Sequence, residues 1–264
     1  MTSSRCSAPP GAHSSKWFPR VSTAPQVRIF NSPQELFHGA AEKFCEVGAD
    51  AIQKRGRFTV ALSGGSTPRG LHQELATSFS SKLPWDKVFF FWDDERHVPP
   101  DSSDSNFRMA NETLLSKLPA PQKNIFRIPA ELPDAREAAQ KYSDTLEQFF
   151  HPADDSFPRF DFILLGMGPD GHTASLFPGT AALQEKDEFV VANWVEKLNT
   201  FRITFTYPVL NSAVCVMFLV NGDEKAEMVR RALKDPSANL PCQGVKPADG
   251  ELLWYLDKGA AVKL

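Results

Sequence analysis

Residues 57–75 read RFTVALSGGSTPRGLHQEL, and this stretch decides the fold. Arg57–Leu62 is a short, nearly continuous apolar run, the pattern of a strand buried on both faces. Ser63-Gly64-Gly65-Ser66-Thr67-Pro68 then breaks the run with two glycines and a proline. Leu71, Leu75 and Phe79 recur at four-residue spacing, which predicts a helix after the loop.

The same alternation continues in both directions. Val27–Phe30 reads as a strand. Ser32-Pro33-Gln34-Glu35 supplies an N-cap and a proline at the first helical position, opening a helix to about Lys54. Downstream, Val88–Trp92 is an apolar strand ending in Asp93-Asp94-Glu95-Arg96. A loop from His97 to Ser105 leads to a helix over Phe107–Leu115. Ile125–Ile128 reads as a strand and Ala135–Phe150 as a long helix. Phe160–Leu165 is a strand that delivers Gly166-Met167-Gly168-Pro169-Asp170-Gly171-His172. Three more strands are expected at Phe189–Val195, Phe201–Thr206 and Ala213–Val220, then a helix over Lys225–Leu233 and a last strand at Leu252–Leu256. No internal repeat is present. Strands separated by helices imply an α/β fold, a doubly wound, mostly parallel sheet with helices on both faces. In such sheets ligands bind beyond the carboxyl ends of the strands, where the polar clusters fall.

Composition narrows the function classes. With 29 basic and 32 acidic residues the formal charge is −3, so the broad basic field of a nucleic-acid binder is absent. A local positive pocket remains compatible with that balance. Cys6, Cys45, Cys215 and Cys242 are scattered without a C-x-x-C spacing, which disfavours a zinc site or disulfide framework and points to a reducing compartment. No apolar run is long enough to span a bilayer, so a membrane partner is not expected. The first 26 residues, rich in Ser, Pro and Ala, are read as a disordered extension, with residues 27–264 forming one domain. Because residues 1–25 carry Arg5, Lys16 and Arg20 and no acid, an organelle transit peptide is the second reading beside a cytoplasmic protein.

Four groups of residues carry chemistry. The Ser63–Pro68 loop, between a strand and a helix, suits a phosphate held by backbone N–H groups; a plain capped turn reads equally well. It lacks the Gly-Lys-Ser/Thr of a Walker loop. Asp93, Asp94, Glu95 and Arg96 follow a buried strand directly, either as ordinary ion pairs at a strand end or as groups at the mouth of a site. Asp101, Asp104 and Asn106 lack the glycine and terminal glutamate of a calcium loop. GMGPDGH at 166–172 imitates a dinucleotide fingerprint, with Glu196 as its acid, but Pro178-Gly179 interrupts too early for the required helix. The glycines better serve to aim Asp170 and His172, a carboxylate and an imidazole two residues apart; a surface His after a turn is the alternative. Arg202 and Lys225 are each ordinary surface cations alone, and together could close around a phosphate.

Taken in order, SGGSTP at 63–68, DDERHVPPDSSDSNFRM at 93–109, GMGPDGHTASLFP at 166–178, RITFTYPVLN at 202–211 and GDEK at 222–225 resemble the 6-phosphogluconolactonase family. The resemblance runs from about Val27 to the C-terminus. It implies hydrolysis of 6-phospho-D-glucono-1,5-lactone to 6-phosphogluconate in the oxidative pentose phosphate pathway, with no metal or cofactor. It also implies His172 as general base with Asp170 beside it, and Asp93 and Arg96 at the reacting end. Ser63, Gly64 and Gly65, with Ser66 and Thr67 of the same loop, Arg202 and Lys225 match positions expected to hold the phosphate. The partner is then a phosphorylated sugar lactone and the expected state a monomer or weak homo-oligomer. Related glucosamine-6-phosphate deaminases typically carry Asp-Glu-Tyr where this chain has Asp94-Glu95-Arg96. They also follow Asp-Gly-His with a glutamate-bearing run, where this chain has Thr173–Pro178. A sugar-phosphate sensor would come with a DNA-binding helix-turn-helix, for which the residues before Val27 leave no room.

Overall fold

In the computed structural model, which describes residues 24–264, β1 (Gln26–Phe30) opens the chain one residue ahead of the expected boundary. Most of the N-terminal extension read from the sequence lies outside the described residues. Helix α1 (Pro33–Arg55) starts as its sequence dictates: Ser32 Oγ accepts the N–H of Glu35 at 3.2 Å and Pro33 takes the first turn. It stops at Gly56, whose φ of +74° suits a residue without a Cβ. Strand β2 (Phe58–Leu62) is buried throughout. Helix α2 (Ser66–Thr77) stops short of Phe79, which is nevertheless buried.

Strand β3 (Val88–Trp92) passes through Asp93 into β4 (Asp94–Arg96), a short strand not anticipated from the sequence. Helix α3 (Asn106–Thr113) and helix α4 (Ala135–Phe150) follow. The strand expected at Ile125–Ile128 is replaced by a single bridge, Ile125 to Phe90, with the Phe126 N–H on Phe90 O at 2.8 Å. A 3-10 turn at Gln122–Asn124 and Pro129 confine that segment from both ends. The rest of the order is β5 (Phe162–Leu165), β6 (Val190–Val195), β7 (Thr200–Phe205), α5 (Tyr207–Asn211), β8 (Cys215–Val220), α6 (Ala226–Lys234) and β9 (Glu251–Asp257).

Six strands form a parallel sheet in the order β1-β9-β8-β5-β2-β3. Adjacent side chains of a strand point to opposite faces. In β3, Phe90 stacks on Trp85, which in turn packs on Phe44 of α1. Its neighbour Phe91 packs instead on Phe149 and Phe150 of α4. Helices therefore cover both faces, as the apolar strands require. Strands β6 and β7 stand outside the parallel sheet: β7 pairs antiparallel with β4 and β6 with β7, in the order β4-β7-β6. Only four residues join β6 to β7, whereas a parallel crossover needs a dozen or more. Asp93 joins the two sheets, giving its N–H to Leu62 O and accepting from Phe205 N–H at 2.7 Å.

Candidate active site

From β2 the chain turns one way to β3, while β5 on the other side leads to β8 and β9, so the connections diverge between β2 and β5. Ligands of open α/β sheets bind at such a switch point. The loops that leave these two strands are Ser63–Gly65 and Gly166–His172. Together with β4, β7 and the turn before α6 they line a cleft of about 450 Å³.

One end of the cleft presents groups of the kind that suit an anion. Ser63, Gly64, Gly65, Ser66 and Thr67 line it, and α2 begins at Ser66 after Gly65, which offers no side-chain cap. Its first-turn N–H groups thus carry the positive end of the helix dipole without a side-chain partner. Gly65 has φ +102°, and a Cβ on Gly64 would lie 1.8 Å from Asn106 Oδ1. Thr67 contributes backbone rather than hydroxyl, because its Oγ1 donates to Asn221 Oδ1 at 2.5 Å. Arg202 on β7 and Lys225 before α6 line the same space. Arg202 stands directly opposite Arg96 in the β4–β7 register. Like charges so placed repel unless an anion lies near them. Burial, then the Arg96 charge, lowers the Arg202 pKa.

The other end holds the imidazole. His172 Nδ1 meets Asp170 Oδ1 at 2.5 Å, and the same oxygen accepts the His172 backbone N–H at 3.2 Å. Lys197, in the turn between β6 and β7, donates to Asp170 Oδ2. Burial would raise the Asp170 carboxyl, but hydrogen bonds from Lys197 and His172 outweigh it and hold it at about 2. An ionised carboxylate only accepts, so Nδ1 carries the ring proton and Nε2 offers a lone pair. Burial lowers the His172 pKa despite the hydrogen bond and charge of Asp170, so the ring is neutral at pH 7. Gly168 lets the ring come close, since a Cβ there would lie 2.0 Å from it. Phe177 stacks on the imidazole with centroids 4.1 Å apart.

The imidazole and the Ser63–Pro68 loop face one cleft, with Arg96. Asp170 stands behind His172 and opens onto a neighbouring groove of about 990 Å³. That larger groove contains none of the Ser63–Pro68 loop, whereas His172, Arg96, Arg202 and Lys225 line the smaller cleft with it. Asp93, expected at the reacting end, does not line the cleft and is fully buried. Burial, reinforced by the Asp94 charge, pushes its carboxyl well above the usual range. Ser63 Oγ bonds both Asp93 Oδ2 and Leu164 O, and a single hydroxyl proton cannot serve both. A neutral Asp93 supplies the second proton. The acid at the cleft wall is Asp94, fixed by Ser175 Oγ at 2.5 Å and Asn106 Nδ2 at 2.8 Å.

A family model described as glucosamine-6-phosphate isomerases/6-phosphogluconolactonase matches residues 31–254. The chain belongs to this family. Within it, a 6-phosphogluconolactonase of Nostoc is 44% identical over 216 residues, covering 81% of this chain and 88% of the relative. One of Rattus norvegicus is 39% identical over 239 residues, covering 89% and 92%. The solved 6-phosphogluconolactonase of Trypanosoma brucei superposes with a TM-score of 0.82 at 30% identity, covering 91% and 98%. Lys197 is a cleft residue that sequence reasoning did not select, and Asp94, grouped with Asp93, Glu95 and Arg96, was given no role of its own. The pairing of β4 with β7 and the β6–β7 turn bring them there, and no local motif marks Lys197.

Proposed function

We propose that the protein hydrolyses 6-phospho-D-glucono-1,5-lactone to 6-phosphogluconate, the lactone-opening step of the oxidative pentose phosphate pathway. The observation that carries the reading is a neutral imidazole with Nε2 available, in the same cleft as an uncapped helix N-terminus, Arg202 and Lys225. The names of the relatives that cover most of the chain support the same substrate.

In this reading the phosphate lies on the Ser63–Thr67 loop, Arg202 and Lys225, and that remote grip orients the ring. His172 Nε2 takes a proton from water as the oxygen bonds to C1. The carbonyl becomes an oxyanion, stabilised by Arg96. Collapse breaks the bond from C1 to the ring oxygen, which receives the proton back from the imidazolium. One water is consumed, and the carboxylic acid formed then ionises. Asp170 keeps the Nδ1 tautomer throughout. Asp93 acts from below the cleft by holding Ser63.

Among the described residues no helix is long and apolar enough to cross a membrane. We propose a cytoplasmic protein; a relative named chloroplastic, 39% identical over 246 residues, supports the transit-peptide reading as the alternative. The decisive experiment is acid release from freshly made lactone, corrected for spontaneous opening. General-base assistance is typically worth ~10²–10⁴-fold, and His172→Ala is expected to lose about that much turnover with KM little changed. Arg202→Ala and Lys225→Ala raise KM instead. Undiminished turnover by the His172 variant overturns the assignment, and ammonia release from glucosamine-6-phosphate would point to a deaminase.

A further inference from the structure

Lys197 is not among the residues that the chemistry above uses, yet it touches both supports of the base. It sits in the 3-10 turn Glu196–Leu198 between β6 and β7, about half exposed, where the cleft meets the neighbouring groove. Its ammonium donates to Asp170 Oδ2, the oxygen of that carboxylate not used by His172. The same ammonium lies 4.6 Å from the centroid of the Phe177 ring, and that ring stacks on the imidazole. One cation therefore meets both the group that orients Nδ1 and the group that backs the ring face.

We propose that Lys197 is a positioning residue for His172, holding Asp170 and Phe177 in place and keeping the imidazole in its neutral, proton-accepting form. The proposal rests on His172 being the base.

The electrostatics have a definite sign. Asp170 and, across the cleft, Asp94 favour the imidazolium, while the Lys197 charge opposes it. Arg96, Arg202 and Lys225 also line the cleft and add positive potential, but Lys197 is the cation bonded to the partner of the ring. Removing its charge leaves Asp170 less opposed, so the imidazole binds its proton more tightly. The base is then lost to protonation at a higher pH. A phosphate-binding lysine would behave differently: its loss would weaken substrate binding and leave the ring titration alone.

The test compares wild type, Lys197→Met and Lys197→Arg in the full chain. Met keeps the stem over Phe177 without the charge, and Arg keeps the charge. Two readouts are taken: kcat/KM between pH 5 and 8, and the His172 titration followed by NMR without substrate. A charge a few ångströms away and partly screened by water moves a midpoint by about half to one pH unit. The Met variant is therefore expected to raise both midpoints by that amount, with KM on the high-pH plateau within about twofold of wild type. The Arg variant should return both midpoints to the wild-type values. Unmoved midpoints overturn the proposal, as does a large rise in KM with an unmoved acid limb, which would assign Lys197 to the phosphate. The NMR arm needs no turnover. An enzyme inactive on the lactone would thus sink the substrate assignment alone, and an active one with a fixed His172 midpoint would sink the Lys197 role alone.

Discussion

Asp93 and Asp94 are neighbours in the chain with different places in the fold. The first is sealed beneath the loop and held neutral against Ser63; the second reaches the cleft wall between Ser175 and Asn106. Their order within DDER is legible in the sequence, but which of them faces the ligand is not. That depends on the half-turn of the backbone where β3 hands over to β4. His172 and Asp170 were legible because both sit on one glycine-rich loop, two residues apart, and no long-range pairing has to be known. Gly168 gives a clean test of that loop. An added Cβ would meet the imidazole at 2.0 Å, so Gly168→Ala must displace the ring from Asp170. Misplacing a reacting group by about 1 Å costs roughly 10²-fold in rate. Gly168→Ala is expected to lose about that much kcat/KM, with a circular-dichroism spectrum and thermal midpoint close to wild type.

Helices were the most legible elements. Asp134 caps α4 by accepting the Arg136 N–H at 2.8 Å, and its span, Ala135–Phe150, agrees with the sequence reading residue for residue. The inner strands of the parallel sheet were found from their largely apolar runs. Of the β4-β7-β6 sheet, β6 and β7 were expected as strands, whereas β4 escaped because it is only three residues long and wholly charged. Packing between α2 and α3 carries its own pH signature. His72 is fully buried there, with Nδ1 3.4 Å from Thr113 Oγ1 and Nε2 without a partner among the described residues. Burial, with the Arg69 charge second, lowers its pKa from 6.5 to about 3. In that window the unfolded chain binds the proton and the folded one does not, so stability is present above pH 6.5 and falls as pH drops. Denaturant melts should show a His72 contribution approaching about 1.4 kcal/mol per pH unit below 6. His72→Leu should remove that component of the slope; an unchanged slope would place the acid sensitivity elsewhere.

Over the whole molecule the charge is −3, yet Arg96, Lys197, Arg202 and Lys225 converge on one cleft. The excess of acids lies outside it, so capture of an anion depends on a local field that salt weakens. Raising potassium chloride from about 0.05 to 0.5 M shortens the Debye length from roughly 14 to 4 Å and is expected to raise KM several-fold while kcat holds. A KM indifferent to salt would remove Arg202 and Lys225 from the binding step. The composition showed only that such a pocket was permitted; its existence needed β4, the β6–β7 hairpin and the turn before α6 to be folded together. That hairpin closes with the four-residue connection that carries Lys197. Surface turns are the segments in which evolution exchanges residues most freely, because little packing depends on them. A descendant of this protein adapting to a more acidic or more alkaline milieu could thus retune its base from the rim, leaving the glycine loop and the sheet beneath it untouched.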